Sequence, residues 1–314
     1  MATPTTPTHA PIEAHEHLTH AKGLADALPE LLVEAKRVST TVLAGWHGRR
    51  RAGPGETFWQ FRTFAPGEAA ASVDWRRSAR DDHLYVREKE WEAAHTVWFW
   101  ADLSASMVFK SRLSTQTKRD RSLVILLALA DLMSSAGERI GLLGVTDPML
   151  SRRGAERFAQ HLAHLPPGQV ALDARPLRRF TDVVLIGDFL DPMSETEEKL
   201  TAIAHAGARA HLVQVLDPVE ETFPYAGRTE FRDPETGLRH TVGRAEQYRA
   251  DYEERLSALR GRLGAICRRL DWTMLIHRTD RPATEPILML HARMGDRNDR
   301  FMGSASGGRA SVAA

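Results

Sequence analysis

The chain has 314 residues, of which 42% are hydrophobic and 26% are charged, and its 42 basic and 41 acidic residues leave a formal net charge of +1. This length and composition are typical of a globular protein with one large domain, or with one domain and an embellishment. The balanced charge excludes a general electrostatic attraction to nucleic acid or to an anionic membrane.

Redox and targeting features of the sequence indicate a cytoplasmic protein. The single cysteine, Cys267, excludes an internal disulfide, and we interpret it as a small core residue in a reducing compartment. The N-terminal sequence MATPTTPTHAPIEAHEH lacks the apolar stretch of a signal peptide. The longest apolar stretch, Leu123 to Ala130, is too short to span a bilayer. We therefore predict a cytoplasmic protein without a membrane span.

The first predicted elements are a tail and an amphipathic helix. Residues 1–23 are rich in Pro and Thr, which predicts a flexible N-terminal tail. From Leu24 to Leu43 apolar residues recur at helical spacing, which predicts a helix with one apolar stripe. That stripe must pack on the main sheet or on a partner, and packing within the chain is the commoner outcome. We group this helix with the segment that follows it as an N-terminal subdomain over residues 24–94.

The second half of that subdomain combines arginines, aromatic residues, Gly and Pro. Its Gly and Pro content excludes a long helix, and its aromatic spacing predicts short strands in an irregular β-rich embellishment. Arginines interleaved with tryptophans are compatible with a nucleic-acid surface, but nearly as many acidic residues accompany them. Mixed signs favour internal ion pairs, so we expect no nucleic-acid partner. We expect a structural wrapper with four largely buried aromatic side chains: Trp59, Phe61, Trp75 and Tyr85.

A buried strand then leads into a polar loop. The sequence HTVWFWADLSASM contains the β-branched and aromatic run Val97 to Trp100, which is typical of a strand covered on both faces in a parallel sheet. Asp102, Ser104 and Ser106 follow, and KRDRSLVILLALADLMSSAG then has apolar positions at helical spacing. Ligands of open α/β sheets gather at the carboxyl ends of strands, so this loop is the predicted site. The alternative is a turn whose polar residues only cap a helix.

A second apolar strand also ends in carboxylates. In TDVVLIGDFLDPMS, the strand Val183 to Ile186 is followed by Asp188 and Asp191. If the two strands are parallel neighbours, Asp102 and Asp188 reach the same edge of the sheet. Two carboxylates and two hydroxyls suit a Mg²⁺ or Mn²⁺ ion, because these hard cations prefer oxygen ligands. The predicted metal ligands are Asp102, Ser104, Ser106 and Asp188.

The remaining elements alternate between strand and helix, which predicts a doubly wound, mostly parallel sheet over residues 95–294. Two short strands around the turn Asp233 to Gly237 predict a β-hairpin insertion near 226–243. The segment 295–314 is rich in Gly, Ser and Ala and is predicted to be a flexible C-terminal tail. The other predicted elements are strands at Arg139 to Val145, Ala208 to Leu216 and Trp272 to His277, and helices at Ala155 to Leu165, Glu195 to Ala206, Arg244 to Leu270 and Pro286 to Arg293.

The polar loop and the second Asp resemble the metal-ion-dependent adhesion site of von Willebrand factor A domains. That family's pattern is Asp-x-Ser-x-Ser, then a Thr, then an Asp, and residues Asp102 to Ser106 and Asp188 match it. The chain departs from the pattern at the Thr: the loop that should carry it, Ser151 to Arg157, has none, and the nearest is Thr146. The resemblance implies a von Willebrand factor A-like fold and a metal whose open coordination position takes an acidic side chain of a partner.

A longer resemblance begins in the arginine-rich segment. It is carried by Gly55 to Gly67, by VDWRRSAR at Val73 to Arg80 and by LYVREKE at Leu84 to Glu90. These runs are similar to those of the bacterial family called domain of unknown function 58, although Glu68 replaces the usual Asp. The family has a von Willebrand factor A-like fold and no established reaction. Its members stand beside MoxR-like AAA+ ATPases, so the resemblance implies such an ATPase as the partner.

We interpret the chain as a protein-binding module and not as an enzyme. The sequence has no Gly-x-Ser-x-Gly elbow, no phosphate-binding loop, no dinucleotide fingerprint and no Cys cluster. The favoured function is an adaptor or partner of a MoxR-like AAA+ ATPase that uses an adhesion-like metal site. Two alternatives stay open: a structural scaffold with a non-functional metal site, and a Mg²⁺-dependent hydrolase.

Overall fold

The structure, a computed structural model, describes residues 10–46, 58–64, 73–80, 82–89, 95–165 and 172–294. The chain divides into two compact units, of which one is Trp46–Ala94 and the other contains the rest. Residues 1–9 of the predicted N-terminal tail and the predicted tail 295–314 lie outside the described residues.

The described helices are, in chain order, α1 (Ala10–Trp46), α2 (Trp75–Ser78), α3 (Lys118–Ser135), α4 (Gly154–Ala163), α5 (Met193–His205), α6 (Pro218–Thr222), α7 (Arg249–Leu270) and α8 (284–294). The described strands are β1 (Phe58–Thr63), β2 (Tyr85–Lys89), β3 (Thr96–Ala101), β4 (Arg139–Leu142), β5 (Asp182–Gly187), β6 (Arg209–Leu216), β7 (Thr229–Arg232), β8 (Arg239–Val242) and β9 (Thr273–Arg278). Short 3-10 turns lie at Ala105–Val108 and Ala245–Tyr248. None of the helices within these ranges is both long enough and apolar enough to cross a bilayer.

A five-stranded parallel sheet forms the centre of the larger unit, which confirms the prediction of an α/β fold with a mostly parallel sheet. The strand order is β4-β3-β5-β6-β9, and each neighbouring pair is parallel. β3 and β5 are adjacent, with Ala101 opposite Ile186 in the register. The two strands that end in the predicted ligands are therefore neighbours, as the sequence analysis required.

Helices cover both faces of this sheet because side chains of successive strand residues point to opposite faces. Val97 and Phe99 belong to the core on one face, where α1, α3, α4 and α8 pack. Trp98 and Trp100 belong to the core on the other face, where α5 and α7 pack. Burial of each large apolar side chain contributes about 1.5–3 kcal/mol, so both cores stabilise the sheet substantially.

The helix α3 lies at the centre of the first core. Its residues are buried almost without interruption from Lys118 to Met133, and the run Leu123 to Ala130 is apolar around the whole helix. Such a helix is stable only when other elements cover it on all sides. The surrounding core therefore fixes the first residues of α3 relative to the sheet, and with them the end of the loop that leads into α3.

The helix α1 packs on the main core, which corrects the predicted grouping of residues 24–94. Its apolar stripe, including Leu28, Leu31, Ala35 and Val38, is part of the same cluster as α3. As expected, the stripe packs within the chain. However, α1 belongs to the same unit as the sheet and not to the unit Trp46–Ala94. α1 also begins at Ala10, inside the predicted tail.

The unit Trp46–Ala94 contains the antiparallel pair β1–β2 and the single-turn helix α2. Asp74 caps α2 by accepting a hydrogen bond from the Arg77 N–H at 3.0 Å. The expectation that Trp75 is buried is wrong, since its side chain is 61% exposed. The turn is held instead by Ser78, whose hydroxyl donates to the Asp74 carbonyl and accepts from the Tyr85 N–H. The side chains of Trp59 and Phe61 lie outside the described residues.

The predicted hairpin insertion is present as the antiparallel pair β7–β8. An aromatic cluster holds its base, where the ring of Phe231 is stacked on Phe223 at 5.9 Å and meets Tyr225 edge-on at 5.2 Å. The tip, from Asp233 to His240, is exposed. The hairpin is thus anchored at one end and open to solvent at the other.

Candidate functional site

The first part of the site is the turn after β3. The Asp102 N–H extends the β3–β5 ladder by donating to the Ile186 carbonyl at 2.8 Å, which fixes the carboxylate at the end of the strand. Its Oδ1 accepts a hydrogen bond from the Ser104 N–H at 2.9 Å. This is the Asp-to-backbone turn that a short polar side chain makes readily. This is the local hydrogen bonding of the alternative interpretation, although no side chain caps the 3-10 turn Ala105–Val108 that follows. The turn does not exclude a ligand role for the side chains.

The second part of the site is the end of β5. Asp188 is buried, and its Oδ2 accepts a hydrogen bond from the Ser106 hydroxyl at 3.2 Å. The Gln214 side-chain amide donates to the Asp188 carbonyl at 2.9 Å, which ties the loop to β6. Gly187 allows the two strand ends to approach, because a Cβ on it would lie 3.0 Å from the Cβ of Asp102.

The two hydroxyls complete the predicted cluster. Ser104 Oγ and Ser106 Oγ lie 3.0 Å apart, and Ser106 is also the residue that contacts Asp188. All four predicted residues thus meet at one place on the C-terminal edge of the sheet. Neighbouring ligands of an octahedral Mg²⁺, each about 2.1 Å from the ion, lie about 3 Å from each other. The two separations that link Ser104, Ser106 and Asp188, 3.0 and 3.2 Å, are those of ordinary hydrogen bonds and are also compatible with this spacing.

Sequence reasoning missed two charged residues in the cluster, Lys118 and Glu220. The Lys118 side chain is 1% exposed, and its ammonium donates to Asp188 Oδ2 at 2.8 Å and to Glu220 Oε1 at 2.6 Å. Glu220 also accepts from the Asp217 N–H, in a capping box at the start of α6. The signal for Glu220 was available, because DPVEE follows β6 just as DFLD follows β5.

The hairpin supplies another unpredicted carboxylate. Glu235, at the exposed tip between β7 and β8, accepts a hydrogen bond from the Ser106 N–H at 2.8 Å. The two residues are 129 positions apart in the chain. No local pattern predicts such a contact. The insertion therefore reaches the predicted site instead of forming a separate surface.

Thr146 and the loop Ser151 to Arg157 have local roles. The Thr146 hydroxyl accepts a hydrogen bond from the Leu142 N–H at 3.0 Å, in the turn after β4. The Ser151 hydroxyl accepts from the Arg153 N–H at 3.2 Å. In the described ranges, no group of three or more His, Cys, Asp and Glu side chains is arranged to hold a metal. The candidate donor set is the mixed one, with two carboxylates and two hydroxyls.

Comparison with known proteins identifies the family. The family described as "Protein of unknown function DUF58" matches residues 60–262. The chain belongs to this family. An uncharacterised protein of Mycobacterium bovis, Mb1516, is 30% identical over 275 residues, which cover 82% of this chain and 86% of that protein. The uncharacterised protein Rv1480 of Mycobacterium tuberculosis gives the same values.

A solved structure is also similar to this DUF58 chain at low identity. It is the crystal structure of the conserved hypothetical protein BatB from Bacteroides thetaiotaomicron, with 12% sequence identity and a TM-score of 0.38. The similarity covers 65% of this chain and 100% of the BatB chain.

Negative charge exceeds positive charge among the residues that meet at the DUF58 site. Asp102, Asp188, Glu220 and Glu235 carry four carboxylates, and Lys118 carries one ammonium, which leaves three negative charges. Burial raises the pKa of Asp102, and the charge of Asp188 raises it further. Burial also raises the pKa of Glu220, although Lys118 opposes the shift. A cation at this edge would offset part of the excess negative charge that Lys118 leaves.

Lys118 remains charged despite its burial. Burial alone would lower the pKa of its ammonium, but the charges of Asp188 and Glu220 raise it overall. A buried charge persists only when it is paired and hydrogen-bonded. We therefore assign Lys118 the role of positioning Asp188 toward the two serines.

The site offers little enclosed space. A cavity of about 20 Å³ lies beside Asp102 and is lined in part by Phe189, Asp191 and Lys199. That volume is enough for about one water molecule. Ser104 and Ser106 are half-buried, and Glu235 is exposed. The enclosed volume beside Asp102 is too small for an organic substrate.

Proposed function

We propose that this DUF58 chain is a protein-binding module with a von Willebrand factor A-like recognition edge. The observation that carries the proposal is the position of Ser106, whose hydroxyl lies within hydrogen-bonding distance of both Ser104 and Asp188 at the surface of the sheet edge. The arrangement presents oxygen donors to a partner without enclosing a substrate. We infer that the partner contributes an acidic side chain.

A Mg²⁺ or Mn²⁺ ion fits the donor set. Ser104, Ser106 and Asp188, with Asp102 behind them, would hold it, and their net negative charge favours a divalent cation. When bound, the ion supplies a positive charge that attracts a carboxylate of the partner. The residues of the chain orient the site: Lys118 holds Asp188, and the turn of Asp102 holds the serines.

Exposed apolar side chains on the segments around the site support a protein as the partner. Leu113, in the loop between β3 and α3, is 61% exposed, and Leu238, in the hairpin, is 70% exposed. Phe109 and Leu190 are exposed on the loops that carry Ser106 and Asp188. Apolar residues next to precisely placed polar groups are typical of protein interfaces.

We propose a binding function rather than catalysis, and Cys267 is not a candidate for a catalytic nucleophile. The Cys267 thiol is buried, which raises its pKa to about 11, so it is a poor nucleophile. The partner that the family resemblance implies is a MoxR-like AAA+ ATPase, and we propose that the chain acts in the cytoplasm as its adaptor or substrate-side partner.

Binding of the purified chain to such an ATPase tests this function. We expect measurable affinity by calorimetry in Mg²⁺, and a loss of at least about tenfold in EDTA or with Asp102→Ala, because a buried charged contact contributes more than about 1.4 kcal/mol. Asp26→Ala is the matched control, since it removes an exposed carboxylate on α1.

Two results would favour the alternatives. Equal affinity in Mg²⁺, in EDTA and with Asp102→Ala would leave the structural scaffold with a non-functional metal site. Phosphatase or nuclease turnover in Mg²⁺ that disappears with Asp102→Asn would indicate the hydrolase.

A further inference from the structure

The Glu235 carboxylate is bound to the backbone of Ser106, a residue to which the proposed function gives a role in docking the acidic side chain of a partner. Its Oε1 accepts a hydrogen bond from the Ser106 N–H, in the same residue whose hydroxyl contacts Ser104 and Asp188. A carboxylate bound through one oxygen has a second oxygen to offer to a cation. The chain therefore contains a carboxylate of its own bound to the loop that carries Ser104 and Ser106.

The tip of the hairpin is built to present Glu235 in one orientation. Asp233 Oδ1 accepts a hydrogen bond from the Glu235 N–H at 2.9 Å, and the Gly237 N–H donates to the Asp233 carbonyl at 2.9 Å. Gly237 has a φ of 71°, a left-handed conformation that glycine adopts without strain. The turn is thus ordered by its own hydrogen bonds and does not depend on the contact with Ser106.

The contact between the tip and the site is easier to break than the base of the hairpin. Phe231 anchors the base against Phe223 and Tyr225, whereas Glu235 contributes an exposed hydrogen bond to Ser106. The hairpin is flanked by Gly227 and Gly243, and a Cβ on either would meet no atom within 4 Å. Hydrogen bonds hold the backbone at the base, since the Gly227 N–H donates to Glu246 and the Gly227 carbonyl accepts from the Ala245 N–H, so the weaker contact is the one at the tip.

We propose that Glu235 is a resident ligand of the site, and that a partner binds by inserting its own acidic side chain in place of Glu235. The partner chemistry is a carboxylate presented on an exposed turn of a protein. This inference rests on the proposed function, because it assigns an occupant to the same docking position. It adds a competition: the apparent affinity of the site for an outside carboxylate is reduced by the fraction of time that Glu235 fills it.

The probe for this competition is acetate, detected at the backbone amide of Ser106 by NMR of the full chain. Removal of a charge-assisted hydrogen bond changes an equilibrium by about tenfold or more. We therefore expect Glu235→Ala to bind acetate at Ser106 at least about tenfold more tightly than the unmodified chain. Glu230→Ala is the matched control, because it removes a carboxylate from the same hairpin that is paired with Arg239 instead. Chloride at equal ionic strength controls for salt.

The possible results separate this inference from the proposed function. Equal acetate binding by Glu235→Ala and the unmodified chain would overturn the inference, and so would the absence of any acetate effect at Ser106 in Glu235→Ala. The same titrations in Mg²⁺ and in EDTA report on the ion independently. If Mg²⁺ has no effect while Glu235→Ala gains acetate binding, the metal part of the proposed function fails and the resident carboxylate stands.

Discussion

The two ends of β5 carry buried carboxylates in opposite surroundings. Asp182, at the start of the strand, is bound by the Arg209 guanidinium through Nε at 2.5 Å and Nη2 at 2.9 Å. The ring of His211 lies 3.5 Å away, and that of His95 lies 3.6 Å away. Asp188, just after the end of the strand, shares one ammonium with Glu220. Several basic groups surround the first carboxylate, whereas the second shares a single ammonium with another carboxylate.

The pKa values of the carboxyls at each end show what this difference means. Burial raises the pKa of Asp182, but the nearby His211 ring and the hydrogen-bonded Arg209 guanidinium outweigh it and hold that pKa well below its usual range. At the other end, the pKa values of Asp102 and Glu220 are raised. A carboxyl with a lowered pKa stabilises the fold, whereas the pKa values of Asp102 and Glu220 are raised chiefly by burial, so their charges cost free energy that a nearby cation can offset. We therefore interpret the start of β5, with Asp182, as structural, and we propose that the C-terminal edge, with Asp188, serves binding.

The largest effect should come from removal of the shared ammonium. Lys118→Met leaves two buried carboxylates without their cation, and we expect the free energy of unfolding in EDTA to fall by about 3–5 kcal/mol. Mg²⁺ should restore more stability to this variant than to the unmodified chain. Urea unfolding with and without Mg²⁺ measures both effects. Lys199→Met is the control: its partly exposed pair with Asp191 should contribute less than about 1 kcal/mol.

The next largest loss of stability should come from a change at the start of β5, where Arg209 binds Asp182. Asp182→Asn removes the charge that Arg209 binds, and we expect a loss of about 3 kcal/mol, near the lower limit for buried pairs because Arg209 is partly exposed. Mg²⁺ should not restore this loss, since there is no excess of carboxylates at that end. If Mg²⁺ restored as much stability to Asp182→Asn as to Lys118→Met, the distinction between the two ends of β5 would be wrong.

Acid should reduce the difference between the unmodified chain and Asp182→Asn. The pKa of Asp182 is lower in the folded chain than the ordinary value of 3.8, so the unfolded chain binds the proton first as the pH falls. The stability that Asp182 contributes is therefore complete above pH 3.8 and is lost below it. Urea unfolding of both proteins from pH 6 to pH 3 measures the decrease. A constant difference across this range would show that the charge of Asp182 is not responsible.

The smallest effect on stability should come from Asp102→Asn. Because the pKa of Asp102 is raised, its charge opposes folding, and its removal should change the free energy of unfolding by less than about 1 kcal/mol, with stabilisation the expected sign. The same variant should lose the stabilisation by Mg²⁺, which amounts to about 2.7 kcal/mol at one hundred times the dissociation constant. Thermal unfolding with and without Mg²⁺ measures both. A large loss of stability in EDTA would assign Asp102 to the structural class.

The cluster at the C-terminal edge of the sheet could be predicted in outline, because its four predicted residues lie directly after two strands. Strand composition identified β3 and β5, and parallel pairing then placed Asp102 near Asp188. Lys118 could not be recognised, because a lysine that starts a helix is ordinarily solvated, and its partners Asp188 and Glu220 lie 70 and 102 positions away. Its burial results from tertiary charge pairing, which has no local periodicity.

The ion pair of Asp182 with Arg209 and the exposure of Trp75 also could not be predicted from the sequence, for physical reasons. Asp182 and Arg209 are partners through the register of β5 with β6, and no periodic pattern in the sequence encodes that register. Trp75 was expected inside on composition alone, yet the hydroxyl of Ser78 holds the turn in its place. Aromatic content indicates that a segment packs, but it does not specify which ring is covered.

The burial of α3 has a thermodynamic consequence for recognition. Because this helix is enclosed by the core from its first residue, the loop that leads into it and the lysine at its start are ordered before any partner arrives. Much of the conformational entropy that flexible loops lose on association is lost here during folding instead. Apart from the displacement of Glu235, complex formation would then approach a rigid-body docking, with the side chains of the loop already in their bound arrangement. Differences in affinity among partners should consequently appear mainly as differences in the rate of dissociation.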